Sequence, residues 1–254
     1  MNRHNKPATC AAWLAYPALV MLLCTISACA SKGNFGYSGR GGVAQHPVAV
    51  LGVSVRHDLK ATISPGLIAN ELAARLADRK NMLPLPASEV QAVIGADAYK
   101  KMIASYARTG RFAPLEVQQL MAADLRAPRG VMLRLENDKT EKLPVVRQAV
   151  YNEAGIRVVD RERRVYVTRR TTEMSASVID LRTGRVVWTR LYRIKPESTS
   201  YSKQYLGSSF SGSVAAEVAN TVINGFGGAN YPAPPSLNGN LRALVQEVVL
   251  KLPN

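Results

Sequence analysis

The residues that could do chemistry are few. The 254-residue chain has three histidines, His4, His46 and His57, and three cysteines, Cys10, Cys24 and Cys29. A transition-metal site needs several His, Cys or carboxylate ligands converging at set spacings. No such cluster is spaced in this sequence, so neither a metal nor any other cofactor is expected. His57-Asp58 with Ser54 or Ser64 nearby supplies the residue types of a hydrolytic triad. Neither serine lies in a Gly-x-Ser-x-Gly elbow, the turn that lifts such a nucleophile above its sheet. Gly225, Gly227 and Gly228 come nearest to a phosphate-cradling loop, but no Lys-Ser/Thr follows and no strand leads in. They read as a loop before Pro232, and the chain reads as a non-enzyme.

Charge is the other signal. The chain carries 33 Lys and Arg against 18 Asp and Glu, a net charge of +15. Between Arg157 and Lys195 there are eleven basic residues and four acidic ones. On a strand meander, Arg163, Arg164, Arg169, Arg182, Arg185 and Arg190 form a candidate cationic interaction face. Alternation sends Arg169 and Arg170 to opposite faces of any strand, so only one of them can join a given patch. Aromatic residues make up only 6% of the chain, too few for a stacking surface to be the default expectation.

The N-terminus sets the compartment. Arg3 and Lys6 precede an uncharged run from Pro7 to Ser31, apolar between Trp13 and Ile26, which is the layout of a secretory signal. Its length also admits a membrane-spanning anchor, although Pro17 interrupts it and Ser27-Ala28-Cys29 closes it. Ile26-Ser27-Ala28-Cys29 resembles the lipobox of bacterial lipoproteins. That resemblance implies a diacylglycerol on the Cys29 thiol, cleavage before Cys29 and acylation, commonly with palmitate, of the new amine. Ala30, where many inner-membrane lipoproteins have Asp, implies the outer membrane, with the protein facing the periplasm. The expected organisation is a lipoprotein signal peptide over 1–28, a flexible tether over 29–45 and one α/β periplasmic domain over 46–254. After cleavage only Cys29 remains, so no internal disulfide can form and the core alone must hold the domain. Export also argues against nucleic acid as a partner.

These residues need elements to position them. His46–Val55 is apolar and β-branched, as in a strand buried on both faces. Ser64-Pro65 opens a helix in which Ile68, Leu72 and Leu76 recur every four residues, with Arg79-Lys80 in its last turn. Met82–Pro86 reads as a short edge strand because its prolines cannot donate to a ladder. A helix over 88–95 is expected to be capped by a Ser88–Gln91 box. Asp97–Arg108 and Pro114–Leu125 follow as further helices. Val131, Leu133 and Leu135 alternate with Met132, Arg134 and Glu136, suggesting a half-buried strand; 139–162 has no clear pattern. Strands are then expected over 164–172, 174–181 and 185–193, the last two joined by a hairpin turn at Asp180–Gly184. Overlapping the low-charge Ser/Gly-rich segment 196–236, the stretch Gln204–Leu241 has Glu217 as its one charge; its Val214, Val218 and Val222 suggest a helix that packs on the domain, self-associates or touches membrane. Asn238–Leu252 is a C-terminal amphipathic helix.

The expected fold class is therefore α/β, a mixed β-sheet sandwich with flanking helices, a long β-hairpin and a C-terminal amphipathic helix. Met174–Trp188 (MSASVIDLRTGRVVW) resembles the hairpin of envelope lipoproteins related to the curli secretion lipoprotein and the penicillin-binding-protein activator lipoprotein. The resemblance extends over His46–Ile194 and Asn238–Leu252. It implies a non-enzymatic role in envelope assembly and carries no binding residue with it. Two function classes follow. One is a lipid-anchored adaptor that binds another envelope protein or peptidoglycan. The other is an oligomeric secretion or pore-type lipoprotein in which copies of the chain assemble.

Overall fold

Strand β1 (His46–Val55) lies at the centre of the sandwich, and five of its residues from Val48 to Val53 are apolar and almost inaccessible. The computed structural model describes residues 45–79, 81–206 and 231–253. After β1 come α1 (Pro65–Ala77), β2 (Met82–Leu85), α2 (Ala87–Ile94), α3 (Ala96–Thr109), α4 (Pro114–Ala122), β3 (Arg129–Lys142), β4 (Val146–Tyr151), β5 (Arg157–Asp180), β6 (Val186–Ile194), β7 (Glu197–Tyr205) and α5 (Leu237–Lys251). Among the described residues the sheet has seven strands in the order β2-β1-β3-β5-β4, and β6 and β7 also pair with β5. It is mixed: β1 runs parallel to β2 and β3, while the partners of β5 are all antiparallel to it.

Helices cover both faces. On one, α1 and α5 press Ile68, Leu72, Leu76, Leu241, Leu244 and Val248 onto Val50, Leu133, Leu135 and Met174. On the other, α2, α3 and α4 press Val90, Met102, Tyr106 and Leu120 onto Ala49, Leu51, Met132 and Ile179. Because β3 sits between β1 and β5 under both helical layers, Met132 and Arg134 are buried along with Val131, Leu133 and Leu135. The half-buried strand expected from alternation is thus buried on both faces. Arg134 tolerates this because its guanidinium donates to the Ala107 carbonyl at the end of α3 and pairs with Glu136 at 2.8 Å.

Other expectations shift locally. The helix α2 starts one residue early, at Ala87 with Pro86 as its cap, so Ser88 lies inside it and the Ser88–Gln91 box does not form. Arg79 lies beyond the end of α1 and donates instead to the Val249 and Leu252 carbonyls, satisfying the open end of α5. The expected break between 164–172 and 174–181 is absent. β5 runs unbroken for 24 residues, about 75 Å of contour at the usual rise. The segment without clear pattern supplies the end of β3, all of β4 and the start of β5.

This long strand shapes the molecule. β3 pairs with residues 168–180 of β5 and β4 with its first residues, while on the opposite edge β6 pairs with 172–179 and β7 with 161–169. The helix-covered sandwich therefore continues into a three-stranded ribbon, β4–β5–β7. The segment Tyr231–Ser236 lies along one face of that ribbon. Tyr231 stacks edge-on against Tyr166, and the Thr168 hydroxyl donates to the Pro232 carbonyl at 2.8 Å. The expected helix around Val214, Val218 and Val222 lies outside the described residues, as do the signal, the tether and Cys29.

Candidate functional site

The triad types do not assemble. Ser54 is buried in β1 and its hydroxyl donates to the Leu133 carbonyl at 3.3 Å. Arg56 pairs with Asp58 at 2.6 Å, and this hydrogen bond holds the carboxyl below its ordinary pKa. A carboxylate so engaged is not free to orient His57. Among the described residues, no group of three His, Cys, Asp or Glu side chains is placed to hold a metal ion.

The six arginines fall into three places instead of one face. Arg182 and Arg185 sit at the β5–β6 turn. There the Asp180 carboxylate accepts from the Arg182 and Thr183 amides at 2.8 and 3.0 Å, which lowers its pKa. Arg190 lies on β6, over the Tyr192 ring at 5.6 Å. Arg163, Arg164 and Arg169 lie in the ribbon, roughly 35–55 Å of strand contour from the turn. Even these three divide. Arg164 shares the face of Glu162, Tyr166 and Thr168, and pairs with Glu162 at 2.9 Å. Arg163 and Arg169 are on the opposite face, where Arg169 is held between Glu197 at 2.6 Å and Glu141 at 3.5 Å. Strand length and period-2 alternation together prevent a single patch.

What the ribbon does assemble is a smaller surface around Arg163. Cross-strand register sets Arg163 beside Lys203 of β7 and Gln148 of β4. One rung further along the same face, Val165 lies between Tyr201 and Val146. Val165 is buried by these neighbours, whereas Tyr201 and Val146 are exposed. The Arg163 guanidinium lies 5.3 Å from the centre of the Tyr201 ring, a cation–π contact that fixes the planar fork over an apolar base. On β7 the residues of this face, Glu197, Thr199, Tyr201 and Lys203, are exposed, while Ser198, Ser200, Ser202 and Gln204 on the other face are half-buried. The bare face is thus cationic and aromatic at its outer end, and it suits an anionic partner.

Sequence reasoning misses Lys203, Tyr201, Gln148 and Val146 because neither the Ser/Gly-rich segment 196–236 nor 139–162 shows a strand pattern. A usable signal was present. Val150-Tyr151 and Ile156-Arg157-Val158 flank Asn152-Glu153-Ala154-Gly155, a short polar loop with glycine between β-formers.

No protein-family model matches the chain, and no curated protein matches it. Solved structures to which the chain is similar include the hypothetical protein CT253 from Chlamydia trachomatis, at 15% identity over 81% of this chain and 96% of that one, with a TM-score of 0.36. Lipoprotein GNA1162 from Neisseria meningitidis is 15% identical over 71% of this chain and 99% of its own, with a TM-score of 0.33. The LpoB C-terminal domain from Salmonella enterica is 11% identical over 61% and 87%, with a TM-score of 0.34.

Proposed function

We propose that this chain is a lipid-anchored, non-enzymatic adaptor of the bacterial cell envelope. In this reading Cys29 anchors it to the outer membrane, and the domain faces the periplasm and binds another envelope protein or the wall polymer. The observation that carries the reading is the ribbon face around Arg163, Lys203 and Tyr201. It is an exposed sheet surface with a cationic end, set on a strand that continues from the core. It fits a surface for grasping an anionic partner.

Crosslinking in intact cells followed by capture of the chain tests the reading. Arg163→Gln with Lys203→Gln should weaken recovery of the main partner, or binding to isolated sacculi, about tenfold, and added salt should do the same to the unmodified chain. Salt-insensitive capture that ignores both substitutions would remove this face from the function. Cys29→Ser should abolish labelling by radioactive palmitate. The second reading, an oligomeric secretion or pore-type lipoprotein, draws on the outer edge of β6, where Val187 and Leu191 are each 54% exposed and could meet another copy. Sizing of the delipidated chain separates the two, since a large ring supports only the second.

A further inference from the structure

Strand β2 pairs with His46–Ala49 of β1 and stops before Pro86, which has no amide to continue the ladder. β3 covers the other edge of β1 as far as Val55. Among the described residues, no strand pairs the β2-side edge of β1 beyond Ala49. Hydrogen-bond direction identifies the groups that point there. The Arg56 amide donates to the Leu135 carbonyl of β3 at 3.0 Å. Alternation therefore turns the backbone groups of Ser54 toward β3, and the amides and carbonyls of Val53 and Val55 toward the open edge. No loop or helix backbone of the described residues bonds to these four groups. Val53 is 3% exposed, so little water reaches its share of them. A recess of about 600 Å³ runs along this edge. It touches Val53 and Val55, whose side chains face the α1–α5 layer, and Ser54, whose side chain faces the opposite one, so it opens at the rim of the strand and not over either face. Its walls come from both helical layers: Pro65 from the start of α1, and Ile103 and Ala104 from α3. The bulge at Leu51–Gly52 sets this orientation, and Gly52, at φ +133°, lets Ile103 and the Tyr99 hydroxyl pack directly on the strand.

We infer that this recess takes a neutral, extended peptide segment of a partner protein, which adds a strand to the open edge of β1 in line with β2. Two observations select this occupant. The first is continuity with the β1–β2 ladder. A row of unpaired donors and acceptors along a strand edge is complemented by another extended backbone, and walls on both sides receive its alternate side chains. The second is charge. The charged residues lining the recess, Asp97 and Lys100, are opposite in sign and one turn apart on α3, in a chain whose net charge is +15. A neutral segment meets no repulsion there, whereas an anionic one is better served by the Arg163 face. The volume also falls in the range of about 300–1,000 Å³ usual for ligand sites. The inference depends neither on the Arg163 face nor on lipidation of Cys29.

The test uses the purified full chain and a capped, fluorophore-labelled peptide, Thr-Val-Ala-Val-Ala-Thr, because main-chain recognition asks little of the sequence. Two further peptides keep the same side chains but carry N-methyl groups, one on the first, third and fifth residues and the other on the second, fourth and sixth. The parent peptide should bind. One methylated peptide should bind about tenfold more weakly, since a methyl group facing β1 leaves a buried acceptor unpaired, and the other should bind like the parent. The Val55 amide should exchange its hydrogen more slowly once peptide is added. Ala104→Arg, at an exposed position on α3, should block binding without changing the thermal melt; if that variant folds poorly, the methylated pair still decides. No binding of the parent peptide at about 1 mM overturns the inference. So does equal binding of all three peptides, which would make the recess a side-chain pocket and not a strand site. A Val55 amide that is as slow as the β3-paired Ser54 amide before any peptide is added also overturns it, because another part of this chain or a second copy would then fill the edge. Each of these outcomes leaves acylation of Cys29 and binding at Arg163 untouched, so this inference and the adaptor reading fail separately.

Discussion

Gly184 shows how much a single position can carry. It closes the β5–β6 turn with φ +68°, and its amide donates to the Asp180 carbonyl at 2.8 Å. A Cβ built there would overlap Val117 of α4 and approach the Met121 sulfur to 3.0 Å. Gly184→Val should therefore destabilise the domain by about 1–3 kcal/mol for the backbone conformation, and Val117→Ala in the same chain should recover the part due to the clash. Thermal melts of the two variants separate these terms. The need for glycine was readable from Asp180-Leu181-Arg182-Thr183-Gly184 because turn chemistry is local. The contact with α4 was not, since it joins residues 67 positions apart that no periodicity links. Trp188 in the same motif is half-buried, packing at the margin of the α1–α5 core and 6.5 Å from Tyr192.

At the scale of elements, the apolar patterns located β1, α1, α3 and α5 well because each buries one strong stripe or run. The start and centre of β5 are harder to read. Residues 157–173 are rich in charge, and their pairing depends on β3, β4 and β7, which lie far off or follow later in sequence. Charged residues survive there by pairing across strands. Arg170 meets Asp138 of β3 at 2.6 Å, and both side chains are mostly buried. Thr172 donates to the same carboxylate at 3.3 Å and accepts from the Asn240 side chain at 2.9 Å, while Arg170 also reaches the Pro235 carbonyl. This network joins the strand to the start of α5. Arg170→Met leaves Asp138 largely buried without its cation and should cost about 3 kcal/mol in urea denaturation. The double variant Arg170→Met with Asp138→Leu should regain much of that loss, because removing both charges removes the desolvation penalty. An equal loss in the double variant would show that the network contributes more than the pair.

At the scale of the whole molecule, the sheet has two distinct ends. His46, where the chain enters the sandwich, lies at the Asp180 end of the sheet, and the β4–β5 turn lies at the other. This polarity has a mechanical consequence. A pull entering at His46 and leaving at Arg157 runs along the strands, so it must slide β1 past β3 and β3 past β5. The seven paired positions of the first ladder and the thirteen of the second then share the load together. A pull between His46 and Pro253, which line one recess at the same end, can instead peel elements off one rung at a time. In single-molecule stretching, handles at 46 and 157 should therefore give a clearly higher rupture force than handles at 46 and 253, since forced unfolding reports the barrier along the direction pulled. Loaded end to end, the domain behaves as a tie rod: tension between whatever holds its first strand and whatever holds its ribbon would pass through the sheet without opening it.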